Sequence, residues 1–259
     1  MDVKYTNIIT MFTCSQINLQ HSKVASTELN THSECVIFIT EPFTVGNPVR
    51  MLNRPLTKVL AHDGPHRPRA ALRVHQALEP WIVTNMCSLD LCVAAIKIEG
   101  KLTYVASLYL DILLDVEYPP FLKLVDTCQR DGIPLILTMD SNAHSPLWGS
   151  DERNGRGERL EDIFLSKNLM VMNHGSVATF KTVRAESVID ITVTNNLASV
   201  NLNLSDWRVS TEQSFSDHRY IYFNLGRYKP QEKMYRNIKK ADWQLFQDNL
   251  DTQQLPLIN

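Results

Sequence analysis

Apolar residues along this chain fall mostly in short runs that end abruptly at polar clusters, and only a few segments repeat at helical spacing. Runs of this kind are too short for helices and read as strands. Residues 8–17 form one, ending at Asn18, and 35–39 form another, stopped by Glu41-Pro42. Proline there ends the strand and leaves the glutamate at its lip. Further strands are predicted over 70–74, 81–84, 91–98, 102–110, 133–137, 169–172, 188–194, 207–211 and 220–225, with Glu99-Gly100 as a hairpin turn. Helical spacing predicts helices over 20–34, where Val24, Ala25 and Leu29 supply a stripe, over 121–130, and over 158–167. Helices thus interrupt hairpin pairs instead of following every strand. That pattern predicts an α/β (α+β) fold of two mixed sheets packed face to face with helices outside.

Composition changes this picture little. Twenty-six Lys and Arg against 28 Asp and Glu give a net charge of −2, so nucleic-acid binding would need a local basic face. The five cysteines are odd in number and lack paired zinc-ligand spacing, as expected of free thiols in a reducing compartment. No signal-peptide pattern opens the chain, and no apolar run approaches the ~20 residues of a membrane span. An intracellular protein with no membrane partner is expected. From Arg227 the chain turns charged, with one amphipathic stretch over 241–250, so residues 1–226 are expected to form the main domain and 227–259 a connector or tail.

Chemistry concentrates where apolar runs stop. The run 133–137 leads into Asp140-Ser141-Asn142-Ala143-His144, and Ser216-Asp217-His218 adjoins the run from Tyr220. Carboxylate, amide and imidazole at strand ends suit a hard cation and a polarised phosphate, hence metal-assisted hydrolysis. The candidates are Asn18, Glu41, Tyr109, Asp140, Asn142, Asp190, Asp217 and His218, with Glu41 the foremost metal ligand. Asp190 interrupts an apolar strand and needs a partner, for which His218 is the obvious imidazole. Taken singly, each has an ordinary reading as a turn cap, solvated loop residue or buried pair; their joint order is what points to a site.

That order resembles the endonuclease/exonuclease/phosphatase superfamily. Finer blocks are similar to the apurinic-endonuclease-like domains of target-specific non-LTR retrotransposons: Gln16 to Lys23, Thr40-Glu41-Pro42-Phe43, Asp140 through Trp148 to Ser150, Thr179-Phe180, Ser187-x-Ile189-Asp190-x-Thr192 and Ser216-Asp217-His218. Many members have Gly-Asp-Phe-Asn where this chain has Met139-Asp140-Ser141-Asn142, a departure that keeps both polar residues. The resemblance implies a four-layer α/β/β/α sandwich that nicks one strand of double-stranded DNA, leaves a 3′-hydroxyl and so starts target-primed reverse transcription. It implies Mg²⁺, with Mn²⁺ as a substitute, held by Glu41 with Asn18 and Asp217. Asp140 and Asn142 would position the attacking water, His218 backed by Asp190 would stabilise the phosphate, and Tyr109 would contact it. Asp242-Trp243-x-x-Phe246 looks like the start of a connector towards a reverse transcriptase, and a nuclear location follows.

A basic stretch holding Arg50, Arg54, Arg67, Arg69 and Arg73 is the expected phosphate-tracking surface, with Lys181 and Arg184 on a loop that enters a groove. Arg153, Arg156 and Arg159 form a second candidate surface. The rival readings are an apurinic-site repair endonuclease, a phosphatase of the same superfamily, and an inactive DNA-binding module.

Overall fold

Alternating burial, odd residues to one side and even to the other, sets the layers. In a computed structural model, which describes residues 2–98, 100–235 and 243–244 (backbone alone for 2–10 and 227–235), the strands in chain order are β1 (Asp2–Asn18), β2 (Val36–Thr40), β3 (Thr57–Ala61), β4 (Ala70–His75), β5 (Trp81–Ile82), β6 (Leu91–Ile98) and β7 (Lys101–Tyr109). They continue with β8 (Leu135–Asp140), β9 (Leu169–Val171), β10 (Phe180–Lys181), β11 (Glu186–Ser187), β12 (Asp190–Asn195), β13 (Asn203–Val209) and β14 (Ile221–Tyr235). The helices are α1 (Lys23–Glu28), α2 (Pro119–Asp131), α3 (Gly155–Ser166) and α4 (Asn196–Asn201).

Two six-stranded mixed sheets result, ordered β13-β14-β1-β2-β4-β3 and β5-β6-β7-β8-β12-β9. Along β2, Val36 and Phe38 face the other sheet while Ile37 and Ile39 pack outward with Leu29 of the turn that follows α1. Along β6, Cys92, Ala94 and Ile96 join the layer between the sheets, whereas Leu91 and Val93 pack with Phe121, Leu124 and Val125 of α2 and Leu160 and Phe164 of α3. Strands apolar on both faces are what a doubly covered sheet requires. The architecture is the expected four-layer sandwich. Contacts divide the chain into one unit from Thr10 to Arg227, which is described below, and another from Met1–Ile9 and Tyr228–Asn259.

Several boundaries differ from the expected ones. The helix expected over 20–34 is shortened to α1 and a 3-10 turn, Leu29–Thr31, because Gln20 and His21 take left-handed backbone before Ser22 caps the helix. The basic stretch contains an edge strand, β3, and the loop around Lys181 is the tip of a hairpin, β10 with β11. The strand expected over 81–84 is only β5, and α4 was not anticipated. Glu99, most of the amphipathic stretch 241–250 and most of the connector lie outside the described residues. The five cysteines are free, and no described helix is long and apolar enough to cross a membrane.

Candidate active site

One rung of the second sheet carries three of the candidates. Register pairs Tyr109 of β7 with Asp140 of β8, and Asp140 with Asp190 of β12, so all three side chains leave the same face at the same level. That face looks towards the first sheet. Lower rungs on it hold Ser107, which donates to the Ile39 carbonyl at 2.8 Å, and Thr192, which donates to Gln16 Oε1 at 3.2 Å. Gln16 in turn donates to the Met139 carbonyl at 3.2 Å. These buried polar bridges fix the two sheets against each other directly beneath the site.

From the first sheet, β1 and β2 end on the paired residues Asn18 and Thr40, and Glu41 follows at once. Asn18 Nδ2 donates to Glu41 Oε2 at 3.0 Å and to Asp140 Oδ2 at 2.8 Å, so a single amide bridges the carboxylates of the two sheets. Its Oδ1 accepts the Gln20 backbone N–H at 2.7 Å. An amide fixed this way shows its NH₂ to the acids, and an NH₂ does not coordinate a cation. As placed, Asn18 is a donor that bridges the two carboxylates.

His218 completes the cluster. Its Nδ1 lies 2.8 Å from Asp190 Oδ2, and its Nε2 lies 3.8 Å from Asp140 Oδ2 and 4.0 Å from Asp217 Oδ1. The Thr179 hydroxyl accepts the backbone N–H groups of Ile189 and Asp190, both at 3.1 Å, which pins the start of β12. The Phe180 ring meets the imidazole edge-on at 5.1 Å. Asp140, Asp190 and His218 are all buried.

Burial works against charge on His218, but Asp190 first, then Asp140 and Asp217, outweigh it and raise the imidazole to about 9. Burial, reinforced by Asp190, pushes Asp140 up to about 7. Burial also works against a charged Glu41, yet His21 and Asn18 hold its carboxyl below the usual value; His21 Nε2 is 3.5 Å from Oε1. Burial together with the neighbouring Glu41 and Asp140 pushes the Tyr109 hydroxyl up, so it stays a neutral donor. Glu41 and Asn142 both sit at positive φ, +46° and +47°. For a glutamate this is an uncommon, strained backbone, of the sort that collects at functional sites.

These side chains open into one cleft of about 320 Å³, lined by Asn18, Glu41, Tyr109, Asp140, Asn142, Asp217 and His218, with Ile112, His144 and Phe180. Asp190 stands behind His218. The structure thus brings all eight sequence candidates together. It adds His21, Gln20, whose Nε2 donates to Asp217 Oδ2 at 2.9 Å, and Ser216, whose hydroxyl donates to the Asn18 carbonyl at 2.8 Å. All three lie in blocks singled out in the sequence, Gln16 to Lys23 and Ser216-Asp217-His218, but nothing local assigns them a contact in the site.

The oxygens of Glu41, Asp140 and Asp217 form a donor set that suits a hard divalent cation. Asp140, Asp190 and His218 also have ligand atoms within 4.8 Å of one another. That trio is better read as a hydrogen-bonded unit, because His218 Nδ1 and Asp190 Oδ2 already occupy each other.

The basic candidates separate sharply. Arg73 is 1% exposed and donates to the carbonyls of Leu29 and His32, so it cannot track phosphates. Arg54 turns inward to the carbonyls of Asn30 and His32. Arg69 is paired with Asp90 and Asp111 and lies over the Tyr109 ring at 5.1 Å. Arg156 donates to the carbonyls of Ser141, Leu110, Asp111 and Leu114, a clamp on the loops beside the cleft. Lys181 pairs with Glu186 at 3.0 Å. Arg50, Arg67 and Arg184 remain exposed. An arginine inside the apolar strand 70–74 was the signal that Arg73 would be structural.

A family model described as endonuclease-reverse transcriptase matches residues 103–222. The 115 kDa protein of the type-1 retrotransposable element R1DM of Drosophila melanogaster is 28% identical over 228 residues, 82% of this chain; the chain spans 21% of that protein's length. The endonuclease domain of TRAS1, a telomere-specific non-LTR retrotransposon, superposes with a TM-score of 0.70 at 26% identity, covering 83% of this chain and 98% of that one. An AP endonuclease from Leishmania major superposes with a TM-score of 0.62 at 9% identity, over 84% of this chain and 88% of its own, a likeness of fold alone.

Proposed function

We propose that this chain, which belongs to the endonuclease/exonuclease/phosphatase superfamily in its retrotransposon-endonuclease branch, nicks one strand of double-stranded DNA by hydrolysing a phosphodiester and leaves a 3′-hydroxyl. The observation that carries the reading is the convergence of Glu41, Asp140 and the His218–Asp190 pair on one cleft, with Asn18 tying the carboxylates together. Glu41 with Asp217 would hold the divalent cation, Mg²⁺ or Mn²⁺, which supplies positive charge to the phosphoryl oxygens.

Asp140, raised to about 7, is matched to accept a proton from an attacking water near neutral pH. The water oxygen bonds to phosphorus, the bond to the 3′ oxygen breaks, and that oxygen takes a proton from solvent water to leave as a hydroxyl, with a 5′-phosphate on the other side. His218, raised to about 9, is cationic at neutral pH and donates to a phosphoryl oxygen, while Asp190 fixes its ring. Tyr109, kept protonated, donates to the same phosphate. Asn142 orients the water and phosphate from its left-handed turn. The exposed Arg50, Arg67 and Arg184 contact flanking phosphates, and the β10–β11 hairpin enters a groove.

In this reading residues 1–226 are the nuclease and 227–259 a connector to further domains of the same polyprotein, acting in the nucleus to start target-primed reverse transcription. The test is nicking of supercoiled plasmid with Mg²⁺, Mn²⁺ or chelator, followed by mapping of the ends. Asp140→Ala and His218→Ala should abolish nicking while circular dichroism stays unchanged. Wild-type nicking by both variants would refute the assignment, and a strong preference for an abasic site over intact DNA would favour a repair endonuclease.

A further inference from the structure

The loop after β7 presents two adjacent apolar side chains to solvent beside the cleft: Ile112, 69% exposed, and Leu113, 90% exposed. Ile112 itself lines the cleft. Exposed leucines are common, but this loop is held at nearly every residue. Arg156 donates to the carbonyls of Leu110, Asp111 and Leu114. Asp111 accepts the Leu113 backbone N–H at 2.9 Å, and the Leu114 N–H donates back to the Asp111 carbonyl at 2.9 Å. The two acids that flank the apolar pair are ion-paired, Asp111 with Arg69 and Asp115 with Arg159. The backbone is fixed, the flanking acids are held by arginines, and Ile112 and Leu113 reach solvent.

We propose that Ile112 and Leu113 form an apolar wedge that enters the duplex beside the scissile phosphodiester and unstacks one base step. The inference rests on the nicking function proposed above and names how the substrate is deformed. Apolar wedges on a rigid support are how proteins kink duplex DNA, exchanging stacking for a bent path that meets more of the protein. A protein partner fits less well, since two side chains fall far short of the roughly 800 Å² per partner of a stable interface. The ion pairs matter for the same reason: unpaired carboxylates beside Ile112 and Leu113 would repel the phosphates on either side of the step.

Nicking is measured for wild type, Leu113→Ala and Ile112→Ala on a fully paired duplex and on the same duplex with a mismatch at the nicked step. With the wedge, each variant loses on the order of tenfold in rate on the paired duplex and recovers to near wild type on the mismatched one, where unstacking is already done. With 2-aminopurine at successive positions, wild type brightens one step next to the nick and Leu113→Ala does not. Equal rates of variant and wild type on the paired duplex would overturn the wedge and leave the nuclease reading intact; so would an equal loss on both substrates. No cation-dependent nicking by wild type on either substrate would remove the function and the wedge together.

Discussion

Replacing Asp190 with asparagine tests the electrostatics of the site without any bound cation. The substitution keeps the size of the side chain and an oxygen for His218 Nδ1–H, and removes one negative charge 2.8 Å away. The imidazole stands at about 9 against an ordinary 6.5, which corresponds to about 3 kcal/mol of preference for the charged ring in the folded state. Because the folded value is raised, this stabilisation is complete below pH 6.5 and disappears as pH rises through 9. Asp140, also raised, loses stability in the same direction but at lower pH, between its ordinary value and about 7; above pH 8 the thiols of Cys14, Cys35 and Cys128, which burial pushes up, add to the fall, so the difference between Asp190→Asn and wild type is what reports the histidine. With Asp190 neutral, burial opposes charge and only Asp140 and Asp217 favour it. His218 should then titrate roughly two units lower, and its share of the fall in melting temperature between pH 7.5 and 10, roughly 4–8 °C in the wild type for the ~2 kcal/mol still present at pH 7.5, should flatten. Proton NMR of the His218 ring and thermal melts against pH measure both. A ring still titrating near 9 in Asp190→Asn, or an unchanged slope of stability, would refute the assignment of Asp190 as the source of the charge.

Three further outcomes follow from the packing and the surface. Arg156→Met removes the guanidinium from four carbonyls beside the cleft, of which that of Asp111 keeps the Leu114 N–H and that of Leu110 keeps Asn142 Nδ2, and should lower unfolding free energy by about 2–4 kcal/mol; a urea midpoint like the wild type's would contradict the clamp. Gly157→Ala places a Cβ 1.9 Å from the His144 carbonyl oxygen, so the loop from Asp140 to His144 must shift, and both stability and nicking should fall; an unperturbed melt would show that α3 moves freely. Arg67→Ala and Arg50→Ala should each reduce the salt slope of DNA binding by about one, whereas buried Arg73→Met should cost stability and leave the slope unchanged, read from binding isotherms at several salt concentrations. An altered slope for the folded Arg73 variant would restore it to the DNA surface.

Much of the fold was legible because strand signals are local. The run 91–98 carries its own boundaries, and polar residues at the ends of the runs into Asn18, Glu41 and Asp140 marked the rim of a sheet. The same locality explains the misreadings. Periodicity places Arg73 on one face of a strand but is silent about the Leu29 and His32 carbonyls that receive it. It identifies Asn18 as a rim residue without telling which end of its amide meets the acids, a choice made by the Gln20 N–H.

By itself the sequence marked most of the longer strands, the alternation of side chains along them, and the chemical groups that stand where several of them end. Tertiary structure alone decided that Tyr109, Asp140 and Asp190 fall on one rung, that Asn18 spans two sheets to reach Asp140, that burial lifts Asp140 to about 7, and that Asp190 keeps the buried His218 ring charged. The physical reason is that alternation along a strand is set by neighbouring residues. Register, burial and charge pairing are set instead by contacts between residues dozens of positions apart, and these exist only once the sheets have closed on each other.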